Sequence, residues 1–294
     1  MSTSLEAGHI ISWTSPKDPI KLTDLRSALS RAGFSEALAK ELAARNAFSR
    51  AAKELSQERI IRRAEEGEDE LKFQFTREFL QAGQFAYEKE FDLYLNKDTG
   101  RIRCENTHME QVAQELVDSH KATRMSADVT RLIQKIFDNG GGDLVPVRQQ
   151  GGCYFVPAGH VGILGGIRVL LKDIGGTLSE WEISAKSEQT QVTIQENMYG
   201  YMLGLVDKFK SSCQSISENT SSKVLERRLE EVHDLRTKLL SHAPLLRGLA
   251  EEVNAAINES ELEMIGAASG QALPPPPATE ETAGTEPEEE LLYV

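Results

Sequence analysis

The chain has 294 residues, 39% of them hydrophobic, with 46 acidic and 33 basic side chains and a formal charge of −13. This length fits one or two domains with a real core, and the charge excludes a protein that coats nucleic acid or an anionic membrane with its whole surface. Three cysteines are too few, and odd in number, for a disulfide framework; with no leader-like start and no apolar run of about 18 residues, the expectation is a soluble cytoplasmic protein that makes no use of a membrane.

Residues 1–20 read as a flexible arm with one short apolar stretch, His9 to Thr14. A helix is expected from Thr23, its cap, with Leu25, Leu29, Leu38 and Leu42 near helical spacing and Gly33 interrupting the run. A second is expected over Ala47 to Ala64, followed by a solvated acidic loop at 65–70. The period then changes to two. Leu71, Phe73 and Phe75 alternate with polar residues, as do Phe85, Tyr87, Phe91, Leu93 and Leu95, and Asn96 to Gly100 is a turn into a short returning strand. This predicts an antiparallel meander with one wet face. Helices follow at His108 to His120 and Ala127 to Phe137, the latter capped by Ser126. Two short apolar runs around Gly151-Gly152 predict a β-hairpin. A helix over His160 to Asp173 and a strand over Thr177 to Ser184 complete this part.

From Ser187 to about Gly266 the pattern is helical. Leu225, Val232, Leu239, Leu246 and Val253 recur every seven residues, and Leu235 and Leu249 fill part of a second seam that Arg228, His242 and Ala256 weaken. This predicts a helical hairpin or coiled-coil arm, paired with the helix Val192 to Phe209 and kinked or broken at Pro244. Four prolines at 274–277 then open a stiff spacer, and six Glu with no Lys or Arg fill the last 21 residues. By composition that tail is disordered.

The fold class expected is therefore α+β: an arm at 1–20, a globular domain at 21–185, a helical arm at 186–268 and an acidic tail at 269–294. Within 119–175, seven basic residues face four Asp. A helix, a glycine run and a hairpin over 120–157 match the order of a winged-helix module, in which Arg124, Arg131, Lys135 and Arg148 would contact phosphates. Cys104, His108, Cys153 and His160 form a Cys2His2 set with irregular spacing, the basis of a zinc alternative. No phosphate loop, nucleophile signature or paired acid and base is evident, so nothing in the sequence asks for an enzyme activity, and no cofactor is assigned.

The string Gly151-Gly152-Cys153-Tyr154-Phe155-Val156-Pro157 resembles a stretch found in uncharacterised phage- and plasmid-associated bacterial proteins. That resemblance implies no function. The terminal Leu291-Leu292-Tyr293-Val294, after acidic sequence, resembles in logic the partner-recruiting tips of bacterial single-stranded-DNA-binding proteins, and implies protein docking. The leading expectation is an interaction or adaptor protein that binds a partner, or itself, through 186–268 and the tail. The alternatives are a nucleic-acid-binding accessory protein and a zinc-dependent one.

Overall fold

In the computed structural model, residues 6–56, 59–81, 84–140, 142–148, 151–184 and 186–270 are described, and the chain divides into two units between Thr190 and Gln191. The fold is α+β. The first unit runs β1 (Glu6–Thr14), β2 (Ile20–Lys21), α1 (Leu22–Arg31), α2 (Ala44–Leu55), β3 (Arg59–Glu66), β4 (Glu70–Gln81), β5 (Gln84–Asn96), β6 (Ile102–Cys104) and α3 (Thr107–Ala122). It continues through β7 (Thr123–Arg124), α4 (Ser126–Asn139), β8 (Val145–Pro146), β9 (Tyr154–Pro157), α5 (Ile163–Asp173) and β10 (Thr177–Ser184).

Two cores lie in this unit. The first joins α1, α4 and α5 to an antiparallel sheet of order β10-β1-β9-β8. Its helices bury one stripe each: Leu25 and Leu29 of α1, Val129, Ile133 and Phe137 of α4, and Ile167 and Leu171 of α5, as amphipathic spacing requires. Trp13 of β1 stacks on Tyr154 of β9 with ring centroids 5.0 Å apart. The second core packs α2 and α3 on the sheet β3-β4-β5-β6. Small residues on α2 (Ala47, Ala51, Ala52) bring it close to Ala113 and Val117 of α3, while Phe48 meets Phe73 of the sheet at 5.1 Å.

Several expectations are corrected. Residues 6–14, within the segment read as an arm, form a strand paired on both sides: Ile10 faces Trp181 of β10 and Phe155 of β9. Gly8 makes that pairing possible, because at φ +139° its backbone lies so close to β9 that a Cβ would sit 2.1 Å from the Val156 carbonyl oxygen, a conformation and an approach open only to glycine. The expected helix over 47–64 stops at Leu55, and Ile60 and Ile61 enter β3 opposite Thr76 and Phe75; β-branched residues suit a strand as well as a helix stripe. Caps differ too. Helix α1 begins at Leu22, with Lys21 at the cap position in place of Thr23. Met125 takes that position on α4 in place of Ser126, and its N–H donates to Asp128 Oδ2 at 3.0 Å, half of a capping box. Hairpin β8–β9 forms, but every residue of β9 is buried and the strand lies between β1 and β8. It is therefore part of a sheet, not a projecting wing.

The second unit holds α6 (Glu188–Cys213) from Gln191 onward, α7 (Ser222–Leu246) and α8 (Ala250–Ser269). Gln195 on α6 donates to the Leu246 carbonyl, Tyr199 donates to Glu252 on α8, and Arg236 on α7 donates to Asn258 and Glu261 on α8. These contacts run α7 antiparallel to both neighbours. The heptad residues Val232, Leu239, Leu246 and Val253 are buried in this three-helix unit, joined by His242 and Ser260. Pro244 lies inside α7, which ends two residues later, and Arg247 then turns the chain at φ +53°.

Candidate functional site

The four basic residues expected on phosphates have different fates. Arg124 is buried, and its guanidinium donates to the carbonyls of His120, Lys121 and Thr123 at the end of α3 and of Lys40. Burial pushes its pKa down, against the field of Asp128. It closes a helix end and is not available to a phosphate, which corrects that assignment. Arg131 and Lys135 are exposed one turn apart on α4, and exposed Arg148 donates to the Gly151 carbonyl at 2.6 Å.

The zinc set does not assemble. Cys104 lies in the second core, where desolvation raises its thiol pKa. His108 is exposed in the first turn of α3. Cys153 precedes β9, and His160 Nδ1 accepts from the Asp143 N–H at 3.1 Å. Among the described residues no group of three or more His, Cys, Asp or Glu converges. Leu291, Leu292, Tyr293 and Val294 lie outside the described residues.

A cleft of 540 Å³ opens instead where α2, the end of α3 and the start of α4 meet, lined by Arg50, Lys53, His120, Met125, Asp128 and Arg131 among others. Its centre is an ion pair that ties the two cores together: Arg50 Nη1 and Nη2 donate to Asp128 Oδ2 and Oδ1 at 2.7 and 2.6 Å. Burial alone would push the Asp128 carboxyl up. The Arg50 fork, the Met125 N–H and the charges of Arg50 and Arg124 outweigh it and hold the carboxyl below its ordinary range. His120 Nε2 stands 3.1 Å from Glu54. Arg131, 71% exposed, lies 3.5 Å from Asp128. Lys53 and Arg131 therefore offer charge at the mouth, and the lining contains no hydroxyl or thiol. Arg50 and Lys53 sit on one face of α2 three residues apart; in the sequence that spacing looks like any solvated helix face.

The second feature is a ribbon. Strands β4 and β5 outrun their neighbours: among the described residues, β3 pairs with β4 only as far as Arg77, and β6 pairs with β5 only from Leu93 to Leu95. Residues 78–81 and 84–87 thus form a two-stranded extension. Between Thr76↔Lys89 and Phe75↔Phe91 the register shifts, leaving Glu90 as an extra residue bonded to Arg59. This bulge reverses the alternation of β5. Phe91, Leu93 and Leu95 face the helices, whereas Phe85 and Tyr87 share the opposite face with Leu80 and Glu78. Leu80, Phe85 and Tyr87 are 68%, 64% and 56% exposed. Nearer the sheet centre, the same face carries Tyr94 with the Lys72 ammonium and Arg103 guanidinium 5.4 and 4.2 Å from its ring. Buried Asp92 lies there as well, ion-paired to Lys72 and Lys89 at 3.3 and 2.8 Å.

Among the described residues no helix is long and apolar enough to cross a membrane. No curated protein and no solved structure matches the chain. One family model, described as a family of unknown function (DUF6744), matches residues 7–269.

Proposed function

Because the chain belongs to that family, whose description carries no activity, we propose a function from its geometry: a non-enzymatic interaction protein that docks a protein partner on the outer face of the β4–β5 ribbon. The observation that carries this is the exposure of Leu80, Phe85 and Tyr87 side by side on one face of an extension that, among the described residues, neither β3 nor β6 reaches. Clustered exposed apolar side chains mark interaction sites more often than isolated ones do, and aromatic residues are enriched at interface centres. The heptad seam, which the sequence reads as a helical hairpin or a self-associating coiled coil, has Val232, Leu239, Leu246 and Val253 buried within the second unit. That favours the ribbon as the docking surface, with the acidic tail as a second contact. A cytoplasmic setting on a phage or other mobile element is the context we propose, on the Gly151–Pro157 resemblance. A photocrosslinker placed at Phe85 is expected to give one discrete adduct in the native host. Leu80→Lys with Phe85→Lys should abolish capture of that partner while leaving the fold intact by circular dichroism. Undiminished capture by the doubly substituted chain would refute the ribbon.

A nucleic-acid-binding accessory role is the second reading, favoured by the mouth of the cleft, where Lys53 and Arg131 are exposed and Lys135 continues the face of α4. Anisotropy with labelled single- and double-stranded DNA tests it. Binding should weaken as salt rises and should fall in Lys53→Gln with Arg131→Gln. No binding at low salt would sink it.

A further inference from the structure

The second seam of the heptad pattern is broken at Arg228, and the structure places that residue beside a groove of 280 Å³ between α6 and α7, within the second unit. Leu205 and Phe209 of α6 and Leu235 of α7 give the groove its apolar lining. Its charged lining is Lys208, Arg228 and Lys238 against Glu231 and Asp234, an excess of one positive charge. Arg228 spends one nitrogen on Glu231: Nη1 donates to both carboxylate oxygens, at 2.8 and 2.6 Å. Its Nε is buried and has no acceptor among the described residues. A buried donor without a partner is uncommon in native proteins and calls for an explanation. Here it stands at a position where a leucine would have completed the helix packing, in a groove that sets Leu205, Phe209 and Leu235 beside charged side chains.

We propose that this groove binds an apolar group ending in a carboxylate, with the carboxylate on the Arg228 guanidinium and the apolar part against Leu205, Phe209 and Leu235. Nε itself is closed to solvent, so an anionic acceptor meets the guanidinium at Nη2, the nitrogen that Glu231 does not take, in a charge-assisted bond. At ~30 Å³ per water-sized group, the groove holds roughly nine non-hydrogen atoms, the size of a six- to eight-carbon acid. The same chemistry is offered by a free aliphatic acid and by the C-terminal residue of a peptide.

Isothermal titration of the full chain with octanoate, acetyl-leucine and the uncharged octanol separates the possibilities. Saturable one-to-one binding of an acid is expected, with a Kd below about 1 mM. Preference for octanoate identifies a free aliphatic acid, and preference for acetyl-leucine identifies a peptide terminus. Arg228→Met is expected to raise that Kd at least about tenfold. Arg228→Lys, which keeps the charge but loses the fork, should fall between. Glu231→Gln should tighten binding, because it releases the guanidinium from its competitor. Circular dichroism checks that each variant is folded, and if Arg228→Met is not, the Lys and Gln variants decide. Octanol binding as tightly as octanoate, an affinity indifferent to the Arg228 and Glu231 changes, or no saturable acid binding would each overturn the proposal.

Discussion

Replacing Asp128 with Asn should loosen the joint between the two cores of the first unit. In the native chain the carboxylate takes both nitrogens of the Arg50 fork at 2.6 and 2.7 Å and the Met125 N–H at 3.0 Å, with the side chain only 10% exposed. Hydrogen bonds to charged groups contribute about 1.5–3 kcal/mol. The Arg50 side chain is partly exposed, so water recovers some of its share and the lower half of that range applies. The Asn carbonyl oxygen still accepts the Met125 N–H, so the expected loss is that of the ion pair, about 1.5–2 kcal/mol. Both tryptophans, Trp13 and Trp181, lie in the first unit, so urea unfolding followed by tryptophan fluorescence reads that unit. The pH dependence has a definite sign. A carboxyl held below its ordinary value when folded stabilises above the unfolded pKa of about 4, and the contribution fades as pH falls through the lower folded value. The gap between wild type and Asp128→Asn should therefore be full at pH 7 and narrow below about pH 4. In a double-mutant cycle with Arg50→Met, a coupling of about 1–2 kcal/mol is expected. A gap that does not change with pH, or a coupling near zero, would refute the argument that this ion pair joins the cores.

Three further outcomes can be checked with the same equipment. Arg124→Met removes the guanidinium that the His120, Lys121, Thr123 and Lys40 carbonyls share, and should cost about 2–4 kcal/mol by urea unfolding. Gly8→Ala places a Cβ against the Val156 carbonyl at a left-handed φ; a loss of more than about 2 kcal/mol is expected, with fast amide exchange along β1 and β9. Leu239→Ala should destabilise α7 by about 2–4 kcal/mol because the residue is buried. Its neighbour Leu240, 76% exposed, should change stability by under about 0.5 kcal/mol, a contrast readable by far-UV circular dichroism.

The legible parts were those in which one face meets one core. The helix Val129–Phe137 and the heptad from Val232 to Val253 show their buried stripes directly as 3.6- and 3.5-residue spacing. Strand β1 was hidden because its burial depends on β9 and β10, more than 140 residues away, and because the glycine that permits close packing also looks like a loop residue. Strand β3 was hidden because Ile60 and Ile61 extend the preceding helical stripe as well as they start a strand. In β5, Phe85, Tyr87, Phe91, Leu93 and Leu95 form one odd-numbered series interrupted only at Lys89. The extra Glu90 divides it between two faces, and a bulge leaves no mark on simple alternation. Arg124 looked like a phosphate ligand because basic residues are usually solvated, and nothing local shows that four carbonyls surround it. The cleft was illegible for the same reason: Arg50 and Asp128 are 78 positions apart.

The place of β1 in its sheet also sets a clock on biosynthesis. Gly8 faces Pro157 on one side and Ile183 on the other, so the first strand waits through about 170 residues of translation before its second flank is made, on the order of ten to thirty-five seconds at ordinary ribosome speeds. Contacts of such long sequence separation also form slowly after release. For that interval the nascent chain carries an unpaired edge bearing Ile10, Ile11 and Trp13, the kind of edge on which chains stick to one another. Yield in cells should therefore depend on chaperone supply and synthesis rate more steeply than the stability of the finished fold implies.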